Sequence, residues 1–593
     1  MTWTMETNPL NNIGLSALVA AIPIFYLFWA LAYKRMKGHW SAISAVAIAV
    51  GIAILVYGMP IKLALLSTFD GMMFGLWPVA WIVVTAVYIY NLSVKTGQFE
   101  VIKNSLASIS DDRRLQALLI AFSFGSFLEG AAGFGTPVAI SAAMLVGLGF
   151  NPLYAAGICL LANTAPVAFG AIGIPIVVAG QVSGIDTMAI SQMVGRTLPF
   201  LSVIIPLYLV ILMSGWKSGM EVWPAALICG GSFALAQWWS SNYLGPLLPD
   251  ILASIASIVS LVIFLRFWSP KTTWRFPEEA ASLGKEKLRY TGGQVFRAWA
   301  PFIILSVFVA AWGIKPIKEA LDYFTLVKFE ISGLHNLVIR AGKPMAAVYN
   351  FNILSAAGTA ILLAGLFSIP VMGASLSVAG EVGVQTLKTL RWPVITISTI
   401  LGFAYIMNFS GMAITLGNAF ASTGKWFPLF SPFLGWMGVF MTGSDTSTNA
   451  LFGKLQEVTA TKIGVDPVIT VSANTCGGVC GKMISPQSLA VATAAVGLVG
   501  QESDIFRFTL KHSLILTGVI AIMTMAQAYL IKWIVPTYTK AAAVAATAAA
   551  KAPAFPSEGL VYLAITLIIV AGITISSRVM GSEKMAIGSV TMA

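Results

Sequence analysis

Charged residues are scarce in this sequence. Only 10% of the 593 residues are Asp, Glu, Lys or Arg, while 58% are hydrophobic. A soluble domain carries roughly 25% charged residues, so this scarcity excludes a water-soluble globular protein. Continuous apolar runs near the length that crosses about 30 Å of hydrocarbon recur along the chain. These runs exclude an outer-membrane β-barrel, whose strands alternate apolar and polar residues. They predict an all-α polytopic membrane protein with about 12–15 membrane segments in a lipid bilayer.

Histidine and cysteine are also few. The three histidines, His39, His335 and His512, lie near predicted loops, whereas a haem or quinone enzyme needs histidine ligands inside its helices. The four cysteines sit in apolar or glycine-rich segments and resemble small packing residues rather than a disulfide framework or a zinc site; they are Cys159, Cys229, Cys476 and Cys480. We therefore predict no cofactor and no metal, and a membrane enzyme is disfavoured.

The net charge of +12 does not indicate a nucleic-acid-binding protein. No patch that combines basic and aromatic residues accompanies it, and the basic residues cluster in loops, as expected for the cytoplasmic side of a membrane protein. Lys34, Arg35 and Lys37 follow the first apolar run and predict an outside N-terminus. No basic segment precedes that run, so it is interpreted as a retained helix of a multi-pass plasma-membrane protein.

Glycine and proline interrupt the apolar sequence in two regions, and we divide the chain accordingly. Residues 1–297 form a first half, with a broken region at about 115–182 and a basic cytoplasmic loop at 266–297. Residues 298–540 form a second half, with a broken region at about 443–488. Residues 541–593 begin with the low-complexity stretch AAAVAATAAAKAPAFP and end with a predicted extra membrane helix.

The two broken regions resemble each other. NTAPVAFGAIGIP at 163–175 and NTCGGVCGKMISP at 474–486 share Asn-Thr, then glycine, then proline at the same spacing. Upstream, GFNP at 149–152 matches GVDP at 464–467, and Glu129 aligns with Thr442. The matches predict an internal repeat, which we expect to be inverted, with broken or re-entrant helices.

Broken helices at matching positions are typical of secondary transporters. Where a helix breaks inside a membrane, its unpaired N–H and C=O groups need partners, and a bound solute can supply them. Helix N-termini favour a carboxylate, and glycines such as Gly130 and Gly133 let backbone approach the solute. The alternative is that these glycines only allow close helix packing.

Three ionisable residues stand in these apolar, glycine-rich segments. Glu129 lies in FLEGAAGFGTPVAI, Asp445 in GSDTSTN, and Lys482 in GKMISP. Intramembrane charges commonly mark ion or proton pathways, so we predict that Glu129, with Asp445 as the alternative, carries a proton. Each has a second interpretation: Glu129 in a fixed ion pair, Asp445 or Ser444 as a helix N-cap, and Lys482 as the partner of a substrate carboxylate or of one of the two acids.

These segments resemble the bacterial L-lactate permease family. The similarity is carried by FLEGAAGFGTPVAI, NTAPVAFGAIGIPI, TGSDTSTNALF and GKMISPQS and extends over residues 13–536. It implies a carrier in the bacterial inner membrane that moves L-lactate, D-lactate or glycolate with a proton as the coupling ion. The superfamily implied has inverted repeats and re-entrant hairpins, and a homodimer with an elevator movement is a weaker analogy from it.

The resemblance also implies where the substrate binds. Its Asn-Thr signatures correspond to Asn163, Thr164, Asn474 and Thr475. Together with the residues of the broken regions, the predicted substrate-binding set is Asn163, Thr164, Asn474, Thr475, Gly130, Gly133, Ser444 and Lys482. Rival interpretations are a carrier for gluconate or a dicarboxylate, which would favour more positive charge than Lys482 alone, and an anion channel, which would favour long pore-lining helices.

Overall fold

The computed structural model describes residues 2–34, 36–133, 136–276, 290–498, 501–538 and 557–581. The predicted low-complexity segment at 541–556 and the central part of the predicted cytoplasmic loop, 277–289, lie outside these ranges. Strands are few and short, so the chain is essentially all α-helical, as predicted.

Fourteen helices precede the loop. Those before the first broken region are α1 (Ile13–Phe28), α2 (Gly38–Leu55), α3 (Ile61–Phe74), α4 (Trp81–Lys95) and α5 (Gln98–Ala107). The broken region contains α6 (Arg113–Gln116), α7 (Gly125–Ala131), α8 (Thr136–Gly147), α9 (Pro152–Ala162) and α10 (Gly170–Ser183). It is followed by α11 (Thr187–Val194), α12 (Leu198–Glu221), α13 (Trp223–Tyr243) and α14 (Pro249–Phe264).

Eleven more helices are described after the loop. The first six are α15 (Gly292–Gly313), α16 (Lys315–Thr325), α17 (Ala357–Met372), α18 (Leu376–Phe409), α19 (Met412–Phe420) and α20 (Phe427–Thr442). The others are α21 (Asp445–Lys462), α22 (Pro467–Lys482), α23 (Pro486–Val496), α24 (Glu502–Tyr529) and α25 (Ser557–Gly581). Short π-helical segments, at Trp29–Tyr33, Gly75–Ala80 and Ala117–Phe124, continue or join neighbouring helices.

Within the described ranges, eight helical segments are long and apolar enough to cross a membrane, or nine if the bent pair Pro152–Ala162 and Val167–Ser183 counts as one span. That pair is bent by 63°. Three further apolar helices are shorter: Pro137–Gly147, Pro249–Phe264 and Ala357–Met372. The eight are fewer than the segments predicted from the sequence, because the prediction also counted shorter and broken helices. One of the eight, Glu558–Arg578, lies in the C-terminal tail.

Two small sheets, which the sequence did not predict, lie at one end of the helices. In the first, β1 (Trp3–Thr4) pairs in parallel with β3 (Val338–Arg340), which pairs antiparallel with β4 (Lys343–Pro344). In the second, β2 (Leu326–Glu330) pairs antiparallel with β5 (Val348–Asn352). The apolar run at 348–367 predicts a membrane span from its first residue, but that prediction is wrong at its start, because 348–352 is strand and α17 begins only at Ala357.

The broken regions owe their shape to local chain chemistry. Helices α9, α22 and α23 each start at a proline, preceded by a side-chain cap from Asn151, Asp466 or Ser485; proline lacks the N–H that would be unpaired there. In α10, Ala171 and Ile172 have φ of 46° and 56°, and the helix is kinked. A β-branched residue at positive φ is strained and persists only where its surroundings enforce it.

Candidate functional site

A buried ion pair joins the two broken regions. The Lys482 ammonium at the end of α22 lies 2.7 Å from Oε1 of Glu129 in α7, and the two side chains are 11% and 3% exposed. The other Glu129 oxygen, Oε2, is buried and has no hydrogen-bond partner among the described residues. The structure thus shows the ion pair that was one interpretation of Glu129, and it shows Lys482 beside an acid.

A third charged residue at this site, Asp250, was missed by the sequence analysis. It lies in the first turn of α14, is 1% exposed, and neither of its carboxylate oxygens has a hydrogen-bond partner in the described part of the chain. It interacts electrostatically with Glu129 and Lys482. The sequence did contain an indication of this residue, because Asp250 is an acid inside an apolar run that predicts a membrane segment.

Asp445 is the fourth ionisable residue of the cluster. It is 4% exposed and interacts electrostatically with Lys482 and Glu129. Ser444 caps α21 by accepting a hydrogen bond from the Ser447 N–H, so Ser444 is the cap and Asp445 is the first helical residue. The interpretation of Asp445 as the cap is therefore wrong. Oδ1 of Asp445 is buried and has no partner in the structure as described.

The second Asn-Thr pair is held in a closed hydrogen-bond network around Asn449 in α21. Oδ1 of Asn449 accepts from the Asn474 amide at 2.8 Å and from the Thr475 hydroxyl at 2.9 Å. The Asn449 amide donates to the Pro175 carbonyl of α10 at 3.1 Å, and Asn474 Oδ1 accepts from Gln456 at 3.2 Å. Asn449 and Gln456 were not predicted as site residues. The network shows that Asn474 and Thr475 already have protein partners.

The first Asn-Thr pair is different. Asn163 and Thr164 follow the last residue of α9, at the start of the bend, and are 6% and 1% exposed. Oδ1 of Asn163 and Oγ1 of Thr164 are buried and have no partner among the residues described. Buried polar atoms are nearly always hydrogen-bonded, and exceptions need an explanation. These two atoms are therefore available to a ligand.

The glycines of the broken regions bring backbone and acidic side chains together. A Cβ added to Gly170 would lie 2.6 Å from Oε1 of Glu129, and one added to Gly130 would lie 2.7 Å from Cβ of Asp250. A Cβ on Gly133 would lie 2.9 Å from Cβ of Ala171, next to the kink of α10. Each glycine is thus required for close packing in this state, in agreement with the interpretation that the glycines allow close packing. The same close packing places the charged cluster next to the kink of α10.

The described histidines do not join this cluster, whereas one cysteine, Cys476, interacts electrostatically with Asp445. The described residues contain no group of three His, Cys, Asp or Glu side chains that could hold a metal. The four cysteines are buried and reduced. The prediction that all three histidines lie near loops is wrong for His512, which is buried within α24 and hydrogen-bonds through Nδ1 to the Tyr208 hydroxyl.

Long apolar helices that surround broken helices and a buried, charged centre define a polytopic helical membrane protein with an intramembrane polar site. The family described as L-lactate permease matches residues 16–531. The chain is 54% identical over 563 residues to the L-lactate permease of Bacillus subtilis (strain 168), covering 90% of this chain and all of that protein.

Two further relatives are similarly close. The chain is 52% identical over 555 residues to the glycolate permease GlcA of Escherichia coli (strain K12), with 89% of this chain and 98% of that protein covered. It is 52% identical over 548 residues to the L-lactate permease of Salmonella typhimurium, with coverages of 90% and 100%. The chain belongs to the L-lactate permease family and is a multi-pass plasma-membrane protein.

Proposed function

We propose that the protein is a secondary active transporter, and not an enzyme, that takes up L-lactate and related 2-hydroxy monocarboxylates together with a proton. D-lactate and glycolate belong to the same substrate class. The relatives named for lactate and for glycolate support this class. The observation that carries the proposal is the buried pair of Lys482 and Glu129 beside the unpartnered Asn163 and Thr164.

The substrate is bound by exchange of partners at Lys482. A monocarboxylate that enters the site offers the same carboxylate group as Glu129 and takes its place on the Lys482 ammonium. The 2-hydroxyl group both donates and accepts hydrogen bonds, which suits Asn163 Oδ1 and Thr164 Oγ1. A charge-assisted bond to Lys482 supplies affinity, and the hydroxyl contacts favour 2-hydroxy acids over simple fatty acids.

The same exchange couples transport to a proton. Once the substrate occupies Lys482, Glu129 is a buried carboxylate without a cation, and burial strongly disfavours its ionised form. Glu129 therefore takes up a proton, and loses it again when the substrate leaves and the ion pair re-forms. One anion and one proton cross together, so the cycle is electroneutral and is driven by the pH difference. The empty carrier returns with Glu129 ionised and paired.

Asp250 and Asp445 take a different role in this scheme. Lys482 is already paired with Glu129, and Asp250 has no hydrogen bond from any described residue. An ionised carboxylate without a partner would cost several kcal/mol in such a site. Asp445 is also buried, and its one hydrogen-bond partner among the described residues is the neutral Asn449 amide at 3.5 Å. In this scheme both acids are therefore protonated in the empty carrier, which makes the empty site neutral overall. Since Asp250 keeps its proton in both states, Glu129 is the first choice for the coupling group, and Asp445 remains the alternative.

The internal repeat stays part of this proposal. In support of it, α9 and α22 begin in the same way: a glycine at positive φ (Gly149 at 98°, Gly464 at 74°) is followed by a capping Asn151 or Asp466 and then by proline. A duplicated element of this kind would place one broken segment from each half at the Lys482–Glu129 pair. This is the arrangement that alternating access uses.

The test is uptake of labelled L-lactate into proteoliposomes under an imposed pH gradient, with the interior alkaline. We expect accumulation above the external concentration, which a protonophore collapses and which a membrane potential alone does not produce. Protein-free liposomes are the control. A correctly folded protein that shows no gradient-driven accumulation would refute the proposal.

A further inference from the structure

A cavity of about 550 Å³ lies between the hairpin β3–β4 and the ends of α10 and α21. Three basic side chains line it, Arg340, Lys343 and Lys454, together with the acidic Glu457. We call this cavity, defined by these four residues, the basic vestibule. None of its residues belongs to the site described above.

The hairpin presents two like charges to the vestibule. Arg340 and Lys343 are directly opposite each other in the antiparallel register of β3 and β4, an arrangement that destabilises a strand pair. The turn between them is Ala341–Gly342, with φ of 47° and 77°, and alanine is strained at positive φ. No described residue forms an ion pair or hydrogen bond with the side chain of Arg340 or Lys343, which meet only through the backbone pairing of their strands. The hairpin thus carries an electrostatic repulsion between Arg340 and Lys343 that no described residue offsets.

The third cation adds to this repulsion. The Lys454 ammonium lies 2.6 Å from Glu457 and donates to the Ser183 carbonyl at 3.3 Å, so one acid compensates it. Arg340 is close enough to act on Lys454 as a like charge. The vestibule lining therefore carries three positive charges against one negative charge. An anion bound between Arg340 and Lys343 would offset the positive charge that the protein leaves uncompensated.

The vestibule is connected to the central site through one pair of helices. Asn449 of α21 bonds to Pro175 of α10 beside the charged cluster. At the other end of the same pair, Lys454 bonds to Ser183. Asn449 and Lys454 are five residues apart, which corresponds to about 7.5 Å of helix. An anion in the vestibule is therefore about one and a half helical turns from the polar network of the centre.

We propose that the basic vestibule is a second binding site for small monocarboxylate anions, which is occupied before the anion reaches Lys482. The proposal rests on the proposed function, because it takes the transported anion as the ligand. A cavity lined by one sign of charge raises the local concentration of its counter-ion and its rate of association. The half-exposed position of the hairpin lets the anion leave again, inward or outward.

The test is the double substitution Arg340→Gln with Lys343→Gln, measured as initial rates of L-lactate uptake into proteoliposomes at low and high ionic strength. We expect KM to rise about threefold or more at low ionic strength, with kcat unchanged. The difference should vanish near 1 M salt, where the Debye length is about 3 Å. The control is Lys328→Gln, which removes one positive charge from the exposed strand β2, outside the cavity. A KM for the double variant equal to that of the control at low ionic strength would overturn the proposal.

A second measurement separates this proposal from the proposed function. If the unchanged protein does not accumulate L-lactate, the function fails, but the vestibule is still tested by the thermal stabilisation of detergent-purified protein with acetate. We expect acetate to raise Tm in the unchanged protein and in Lys328→Gln, and to raise it less in the double variant. Equal increases in all three proteins would overturn the vestibule as an anion site.

Discussion

Glu129→Gln is the substitution that tests the exchange of partners at Lys482 most directly. It keeps the size of the side chain and removes the charge from a 2.7 Å ion pair in which both groups are almost fully buried. Removing one partner of such a pair costs about 3–5 kcal/mol, because it leaves the other charge uncompensated. In this variant the uncompensated charge is the ammonium that the substrate needs.

The variant should therefore bind L-lactate more tightly than the unchanged protein. If the substrate carboxylate recovers about 2 kcal/mol of the lost pairing, affinity rises by about 30-fold, at about 1.4 kcal/mol for each factor of ten. Transport should divide into two behaviours. Exchange of internal for external lactate continues, whereas accumulation driven by a pH gradient is lost, because no displaced carboxylate takes up a proton.

The assays are calorimetric binding of L-lactate to the purified protein and, in proteoliposomes, exchange at equal pH beside uptake under a pH gradient. Glu100→Gln is the control, since it removes a carboxylate from a 2.6 Å pair with Lys103 on α5, outside both the charged cluster and the basic vestibule; it should accumulate lactate normally. Unchanged accumulation in Glu129→Gln would refute the assignment and pass the coupling role to Asp445. Weaker binding would refute the competition for Lys482.

Two further predictions follow from other buried charges. Asp250→Asn should keep both exchange and accumulation, with an unchanged pH dependence of uptake, because the asparagine reproduces a neutral acid; loss of accumulation with exchange retained would make Asp250 the proton carrier instead. The side chain of Arg114 is 0% exposed, pairs with Asp112 and Glu221, and donates to the Thr272 carbonyl. Arg114 should therefore be essential for stability. Arg114→Ala should cost about 3–5 kcal/mol of unfolding free energy, measured as a large fall of Tm in detergent, and a Tm within experimental error of the unchanged protein would contradict the structure.

The sequence was informative where a single charged residue stands among apolar residues. Glu129 and Lys482 could be singled out because a charge in an apolar, glycine-rich segment is costly and calls for a reason. Their pairing could not be predicted, since 353 residues separate them and only the tertiary fold brings the two side chains together. Asp250 is likewise an acid among apolar residues, but it directly follows Pro249 at the start of a regular apolar helix, where an acid in the first turn is common and attracts less attention.

Asn449 shows a different limit of sequence analysis. It stands in TSTNALF on a helix that is rich in polar residues, and polarity alone does not distinguish a network centre from a solvated side chain. Its importance comes from hydrogen-bond partners on three helices, which are Pro175 on α10, Asp445 on α21, and Asn474 and Thr475 on α22; these contacts exist only after the helices have packed. The hairpin β3–β4 was missed because its strands are only two or three residues long, too short for an alternating pattern to be recognised.

The repeat predicted from the sequence joins two halves that are not equivalent in the structure. The Asn-Thr pair at 474–475 is satisfied by Asn449, whereas the pair at 163–164 has buried atoms without partners in the described chain. In the alignment that matches Glu129 with Thr442, Thr136 stands where Asn449 stands. A threonine hydroxyl has one donor, while the amide of Asn449 has two donors and an oxygen that accepts twice. The aligned residue types therefore differ in hydrogen-bonding capacity. Under the proposed function, the polar atoms that a substrate would bind, Asn163 Oδ1 and Thr164 Oγ1, belong to the first half, and the cation and the rigid framework come from the second.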